Sequence, residues 1–168
     1  MKRILTVALA LAIAVLAGCS SQQAGTQRTP EELTQVYADA ITANGGEMVE
    51  YNPVISQVSE DDMSAMLLET MGLAQDDMTT FGISASLMNV QAYGIAAVMP
   101  AEGKADAVTE ALQGYIDQQK SNFENYLADQ YDVASSARLE TLSDGTVLMV
   151  MCSDQDTVFD AIKTAIEG

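Results

Sequence analysis

Histidine does not occur among the 168 residues of this chain. Its absence removes Ser-His-Asp and Cys-His catalysis and every zinc site that needs an imidazole. Tryptophan is also missing and there are only three phenylalanines. A core must therefore be filled by Met, Leu, Ile, Val and Ala. Cations are scarce: seven Lys and Arg stand against 24 Asp and Glu, a formal charge of -17. A surface of that sign repels phosphates, which excludes nucleic acid and the face of an anionic bilayer as partners. Gly-rich phosphate loops and Ser-x-x-Lys pairs are absent too.

Cysteine occurs twice, as Cys19 and Cys152. Cys19 closes Leu16-Ala17-Gly18-Cys19, behind an uncharged, almost wholly apolar run from Ile4 to Ala17 and a basic start at Lys2 and Arg3. That run is about 14 residues, the length of a signal-peptide core, whereas a bilayer span takes about 20. The ending resembles a bacterial lipobox. The resemblance implies a diacylglyceryl thioether of the palmitate type on Cys19 and cleavage just before it. The expected location is the extracytoplasmic face of the cell membrane, held by lipid. Each buried CH₂ adds about 0.8 kcal/mol, so two acyl chains anchor stably where one does not. The plainer alternatives are an ordinary cleaved signal peptide or an uncut anchor.

Three segments follow: 1-18 as lipoprotein signal peptide, 19-29 as lipidated Cys and tether, and 30-168 as a single acidic α+β domain. Removing Lys2 and Arg3 leaves 24 acids against 5 bases, or -19. One reading of this charge is solubility and stand-off from an anionic envelope. The other is an envelope protein partner with a basic surface. The tether, Ser, Gln, Gly and Thr with one Arg, reaches roughly 17 Å as a flexible coil. With Cys19 spent on lipid, Cys152 has no intramolecular partner. It ends the apolar run Val147 to Met151, with Ser153, Asp154 and Asp156 beyond and no cation near. It reads as a buried small hydrophobe rather than a reactive thiol.

Along the domain, Thr29 and Pro30 open a helix with Glu31 and Glu32 in its first turn. Leu33, Val36, Tyr37, Ala40 and Ile41 keep helical spacing, and Asn44-Gly45-Gly46 ends it. Met48 to Tyr51 reads as a short strand. Ser59 with Asp62 reads as the capping box of a second helix, with Met63, Met66, Leu67 and Met71 on one face and a stop at Gly72. That methionine stripe is core, or else a soft peptide groove. Phe81, Ile83, Ala85 and Leu87 alternate as a half-exposed strand, and Tyr93 to Met99 is apolar throughout. Glu102 to Leu127 reads as the longest helix, with Val108, Leu112, Ile116, Phe123, Tyr126 and Leu127 on its buried side. Ala137, Leu139 and Thr141 alternate, Ser143-Asp144-Gly145 turns, and Thr146 to Cys152 is a second apolar strand. Ser153, with Asp156, reads as the cap of a last helix with Val158, Phe159, Ile162, Ala165 and Ile166 inward.

The expected fold class is α+β: an antiparallel sheet built from two hairpin-plus-helix units, with helices packed on it and N-terminal helices before it. The two apolar strands belong side by side at the sheet centre, with the alternating ones outside. The helices of the two units are expected on one face, and the N-terminal helices on part of the other.

The stretch Gln119 to Leu127, the hairpin Ala137 to Met151 and the Ser153-Asp154-Gln155-Asp156 helix start carry a further resemblance. From about Met48 to Glu167 the chain resembles a lipoprotein domain of unknown function, number 4358 in the domain-family series, of clostridial-type Gram-positive bacteria. This implies a lipoprotein context and a fold. The family has no known activity.

Carboxylate pairs at Asp61-Asp62, Asp76-Asp77 and Asp154 with Asp156 are candidates for calcium or acid–base work. Calcium takes six to eight oxygens, usually from an Asp-x-Asp-x-Asp-Gly loop that is lacking here. Two of the pairs fall at expected helix starts, which favour acids anyway. Gly82-Ile83-Ser84-Ala85-Ser86 is a broken nucleophile elbow and fits a strand better. No catalytic residue, metal site or cofactor is therefore expected, and Cys19 is the one site residue. Three functions stay open: a non-catalytic interaction or ligand-binding module of the envelope, a passive spacer lipoprotein, or a carboxylate-dependent hydrolase. For a binding site, the outer strand Ser135 to Thr141 is the first place to look.

Overall fold

A computed structural model describes residues 28–59 and 62–168. The signal peptide, Cys19 and the tether up to residue 27 lie outside the described residues, as do the Asp61 and Asp62 side chains. Among the described residues the α+β class holds: six helices accompany a four-stranded antiparallel sheet.

The strands are β1 (Met78–Ala85), β2 (Gly94–Pro100), β3 (Arg138–Thr141) and β4 (Val147–Met151). Their order is β1-β2-β4-β3, so the two apolar strands are neighbours at the centre, as their composition required. Gly94 pairs with both Ala85 and Met151 at one end of the sheet, and Met78 pairs with Pro100 at the other. These Gly94 and Pro100 ends lie about 20 Å apart along β2, at about 3.4 Å per residue.

The helices are α1 (Pro30–Asn44), α2 (Met48–Tyr51), α3 (Asp62–Thr70), α4 (Ala105–Phe123), α5 (Ala128–Ser135) and α6 (Gln155–Glu167). Thr29 caps α1 in a full capping box, its side chain accepting from the Glu32 N–H while Glu32 accepts from the Thr29 N–H. α3 ends in a Schellman motif, with Gly72 at φ 69° and the Leu73 N–H on the Leu68 carbonyl at 2.9 Å.

The helices of the two hairpin units lie on opposite faces, contrary to the sequence expectation. Ala96, Val98, Met149 and Met151 pack with α3, α4 and α5. Ile95, Ala97, Leu148 and Val150 pack with α1, α2 and α6. The reason lies in β2 and β4, whose residues are apolar at every position. Successive side chains point to opposite faces, so both faces need a helical layer.

Other elements depart from the pattern locally. β1 is buried on both faces from Thr80 onward, because α1 covers Thr80 and Gly82 while Ser84 is engaged by the Asn52 carbonyl just beyond α2. Small and hydroxylic residues there mark close helix approach rather than solvent. Met48 to Tyr51 is a helical turn closed by the Asn52 N–H on the Met48 carbonyl, not a strand. Four residues are too few to carry a period. On α3 the buried set is Ser64, Leu67, Leu68 and Met71, while Met63 and Met66 are about half exposed. The long helix stops at Phe123, whose carbonyl accepts from both the Tyr126 and Leu127 N–H groups. By then it has passed the sheet, since Tyr115 already lies against Gly94. Tyr126 is exposed, and α5 folds back to bury Ala134. Asp154, without a side-chain cap bond, precedes α6, so the Ser153 cap does not form; Ala165 is exposed.

Candidate interaction surface

Among the described residues, those with expected chemistry do not converge. Asp76 and Asp77 form a 3-10 turn at the Pro100 end, where Asp77 pairs with Lys104 at 2.7 Å. Asp154 and Asp156 begin α6 at the Gly94 end, with Asp156 3.4 Å from Arg138. Acids at opposite ends of a sheet cannot flank one scissile bond. Among the described residues no three His, Cys, Asp or Glu side chains are grouped to hold a metal ion. Ser84 is buried within β1; its hydroxyl donates to the Asn52 carbonyl at 2.6 Å and lies 3.0 Å from the Tyr93 hydroxyl. No base faces it. Cys152 is buried and burial pushes its thiol pKa up, the opposite of activation.

β3 is the outer strand that the sequence pointed to, but it begins at Arg138 because Ser135 still belongs to α5. Its side chains are engaged. Arg138 lies 3.9 Å from the Phe159 ring centroid and bonds Glu140 at 2.7 Å and Asp160 at 3.0 Å. Lys163 reaches Glu140 from α6, and Leu139 packs into the core. A four-residue edge carrying bound charges is a poor template for a further strand.

The Gly94 end is different. Seven large hydrophobics are exposed among the described residues, and four of them sit here: Tyr51, Met88, Val90 and Tyr126. Tyr51 ends α2, which is docked through the Asn52 carbonyl on the Ser84 hydroxyl. Met88 and Val90 occupy the β1–β2 loop, which is tied to α5 by the Ala92 N–H on Gln130 at 2.8 Å. Tyr126 lies in the turn between α4 and α5. Between α1 and α2 an open groove of about 590 Å³ is lined by Thr42, Ala43, Glu47, Val49, Glu50 and Val54. Sequence reasoning missed this surface, because α2 was read as a strand and Tyr126 as core.

Comparison with known families adds one finding. The family model described as Domain of unknown function (DUF4358) matches residues 54–152. The chain belongs to this family. No curated protein and no solved structure matches it. The DUF4358 segment contains all four strands with α3, α4 and α5. The helices of the other face, α1, α2 and α6, lie outside it, so the α1–α2 groove is built almost wholly by flanking sequence. No helix among the described residues is long and apolar enough to cross a membrane.

Proposed function

We propose that this protein is a lipid-anchored extracytoplasmic lipoprotein whose folded part is a non-catalytic interaction module of the cell envelope. The observation that carries the reading is the polarity of the molecule. The chain enters at the Pro100 end, where the Arg28 guanidinium donates to the Ile166 carbonyl at the end of α6. The exposed Tyr51, Met88, Val90 and Tyr126 lie at the other end. A tether running from a lipid on Cys19 to Arg28 would attach at the end opposite this apolar surface and leave the surface free to meet other envelope proteins. Tethering raises encounter frequency, so modest affinity suffices.

Site-specific photocrosslinking in intact cells tests the reading with the full lipidated chain. A crosslinker at Val90 is expected to give a discrete protein adduct, and one at Ser143, at the Pro100 end, none. No adduct from either position replaces this reading with the spacer. Cleavage of wall glycan or peptide by the purified protein replaces it with the hydrolase.

A further inference from the structure

We infer that the outer edge of β1 at Phe81 takes a short, extended, uncharged segment of a protein partner as an added strand. The site is separate from the Gly94-end surface and does not depend on it. β1 is the last strand of the sheet, so one of its edges has no neighbouring strand. Ile83 shows which groups point that way. Its N–H donates to the Ile55 carbonyl at 2.8 Å, and its carbonyl accepts from the Ile55 N–H at 2.7 Å. Alternate residues of an antiparallel strand turn their main-chain groups to the same side. The ladder to β2 is regular from Thr80 to Ala85, so Phe81 also faces outward.

The Ile55–Ile83 bridge is isolated. Were it to continue, Gln57 would pair with Phe81. Instead the Phe81 N–H and carbonyl have no hydrogen-bond partner among the described residues. Phe81 is nevertheless only 7% exposed. Main-chain groups of so buried a residue are nearly always paired. Phe81 lines a groove of about 280 Å³ between β1 and residues 56–58, where the chain leaves the edge.

The groove's chemistry names the occupant. None of its lining residues is charged, in a chain of 24 acids. A charged side chain entering it would be left unpaired. The hydroxyl and amide groups of Ser56, Gln57, Gln75 and Thr79 stand beside the apolar Val58 and Phe81, a setting for Thr, Ser and Val side chains. An added strand offers Phe81 one acceptor and one donor, which is what the open rung needs. A second copy fits less well. Its own β1 lies between two helical layers, and each copy carries a charge of -17. The register shift between Met78 and Thr80 ends the regular edge just before Phe81, so the added strand is short and its affinity modest.

The test uses the full chain in phosphatidylcholine vesicles, with empty vesicles as the blank. The probe is a fluorescent peptide that alternates threonine with valine, blocked at both ends and followed by anisotropy. Its twin carries N-methyl groups on the central residues, which keeps the side chains and removes the N–H donors. The parent peptide is expected to bind, and the twin to bind roughly tenfold more weakly, the scale of one or two main-chain hydrogen bonds. Val58→Lys places a charge in the groove and should weaken the parent peptide, whereas Val90→Lys at the Gly94 end should not. Hydrogen exchange read by mass spectrometry should show the Phe81 amide slowed by the peptide, with Ile83 already slow without it. Thermal unfolding checks that both variants keep the fold. Equal binding of the twin, loss in Val90→Lys instead of Val58→Lys, or an unslowed Phe81 amide overturns the inference. So does failure of the parent peptide to bind. Phe81 protection without peptide that grows with protein concentration assigns the edge to a second copy. Protection that disappears when residues 20–27 are replaced by a glycine–serine linker assigns it to the chain's own N-terminal segment. Either result also overturns the inference, and none of them bears on the Val90 crosslink.

Discussion

Gly82 faces Tyr37 so closely across the α1–β1 contact that a Cβ built on it would lie 2.8 Å from the Tyr37 Cβ. The missing side chain is what lets α1 lie down on β1. It also sets the depth at which the Tyr37 hydroxyl reaches Thr146, at 2.6 Å, near the hairpin turn.

Gly82→Ala is therefore expected to destabilise the protein by about 1–3 kcal/mol, the usual scale of overpacking. The neighbouring atoms are the Tyr37 Cβ and backbone, which cannot swing aside as a side-chain tip would. Urea unfolding followed by circular dichroism measures it, and an unchanged midpoint would show that α1 can lift without cost.

Alkaline stability follows from the same tyrosine. Burial pushes the hydroxyls of Tyr37 and Tyr93 up to about 12, opposed in part by hydrogen bonds to Thr146 and Ser84. In the unfolded chain they ionise near 10. Below pH 10 both states hold the protons and the contribution is intact. Between pH 10 and 12 only the unfolded state releases them, so stability falls, by about 1.4 kcal/mol per pH unit for each group. Tyr93→Phe should halve this part of the slope. A denaturant series from pH 9 to 11.5 reads it, and an unaltered slope would mean Tyr93 titrates alike in both states.

Arg138 joins β3 to α6 through Phe159, Asp156 and Asp160, and pairs with Glu140 on its own strand. Arg138→Met keeps the stem packing and removes the charge. The expected loss is about 1 kcal/mol, since the side chain is partly exposed and the pairs are screened. The difference from the unmodified protein should shrink in 1 M salt. A larger loss that ignores salt would assign the role to packing on Phe159.

Cys152 is expected to react with a thiol reagent far more slowly in the folded chain than in urea, because burial shields the sulfur and holds it protonated. Mass spectrometry of the peptide containing Cys152 separates it from Cys19. Equal rates would place Cys152 at the surface.

Cys19→Ala tests the anchor. Fatty-acid label should enter the unmodified protein and not the variant, which should leave the membrane or persist as uncut precursor. Equal labelling removes the lipobox reading.

The sequence by itself determined the order of elements around the sheet. Continuous apolarity in β2 and β4 demanded two covered faces and a central position, and the strand order β1-β2-β4-β3 meets that demand. Capping chemistry at Thr29, Gly72 and Gly145 was equally legible, because a cap or turn is decided within a few residues. Tertiary structure alone decided which helix covers which face, since α4 and α6 carry similar apolar stripes and a stripe does not name its partner. It also decided that Phe123 ends α4, where the sheet beneath the helix runs out and no Gly or Pro marks the place. The surface at the Gly94 end was hidden for the same reason. Tyr51, Met88, Val90 and Tyr126 come from three separate connections, and only the packing of those connections around one end of the sheet gathers them.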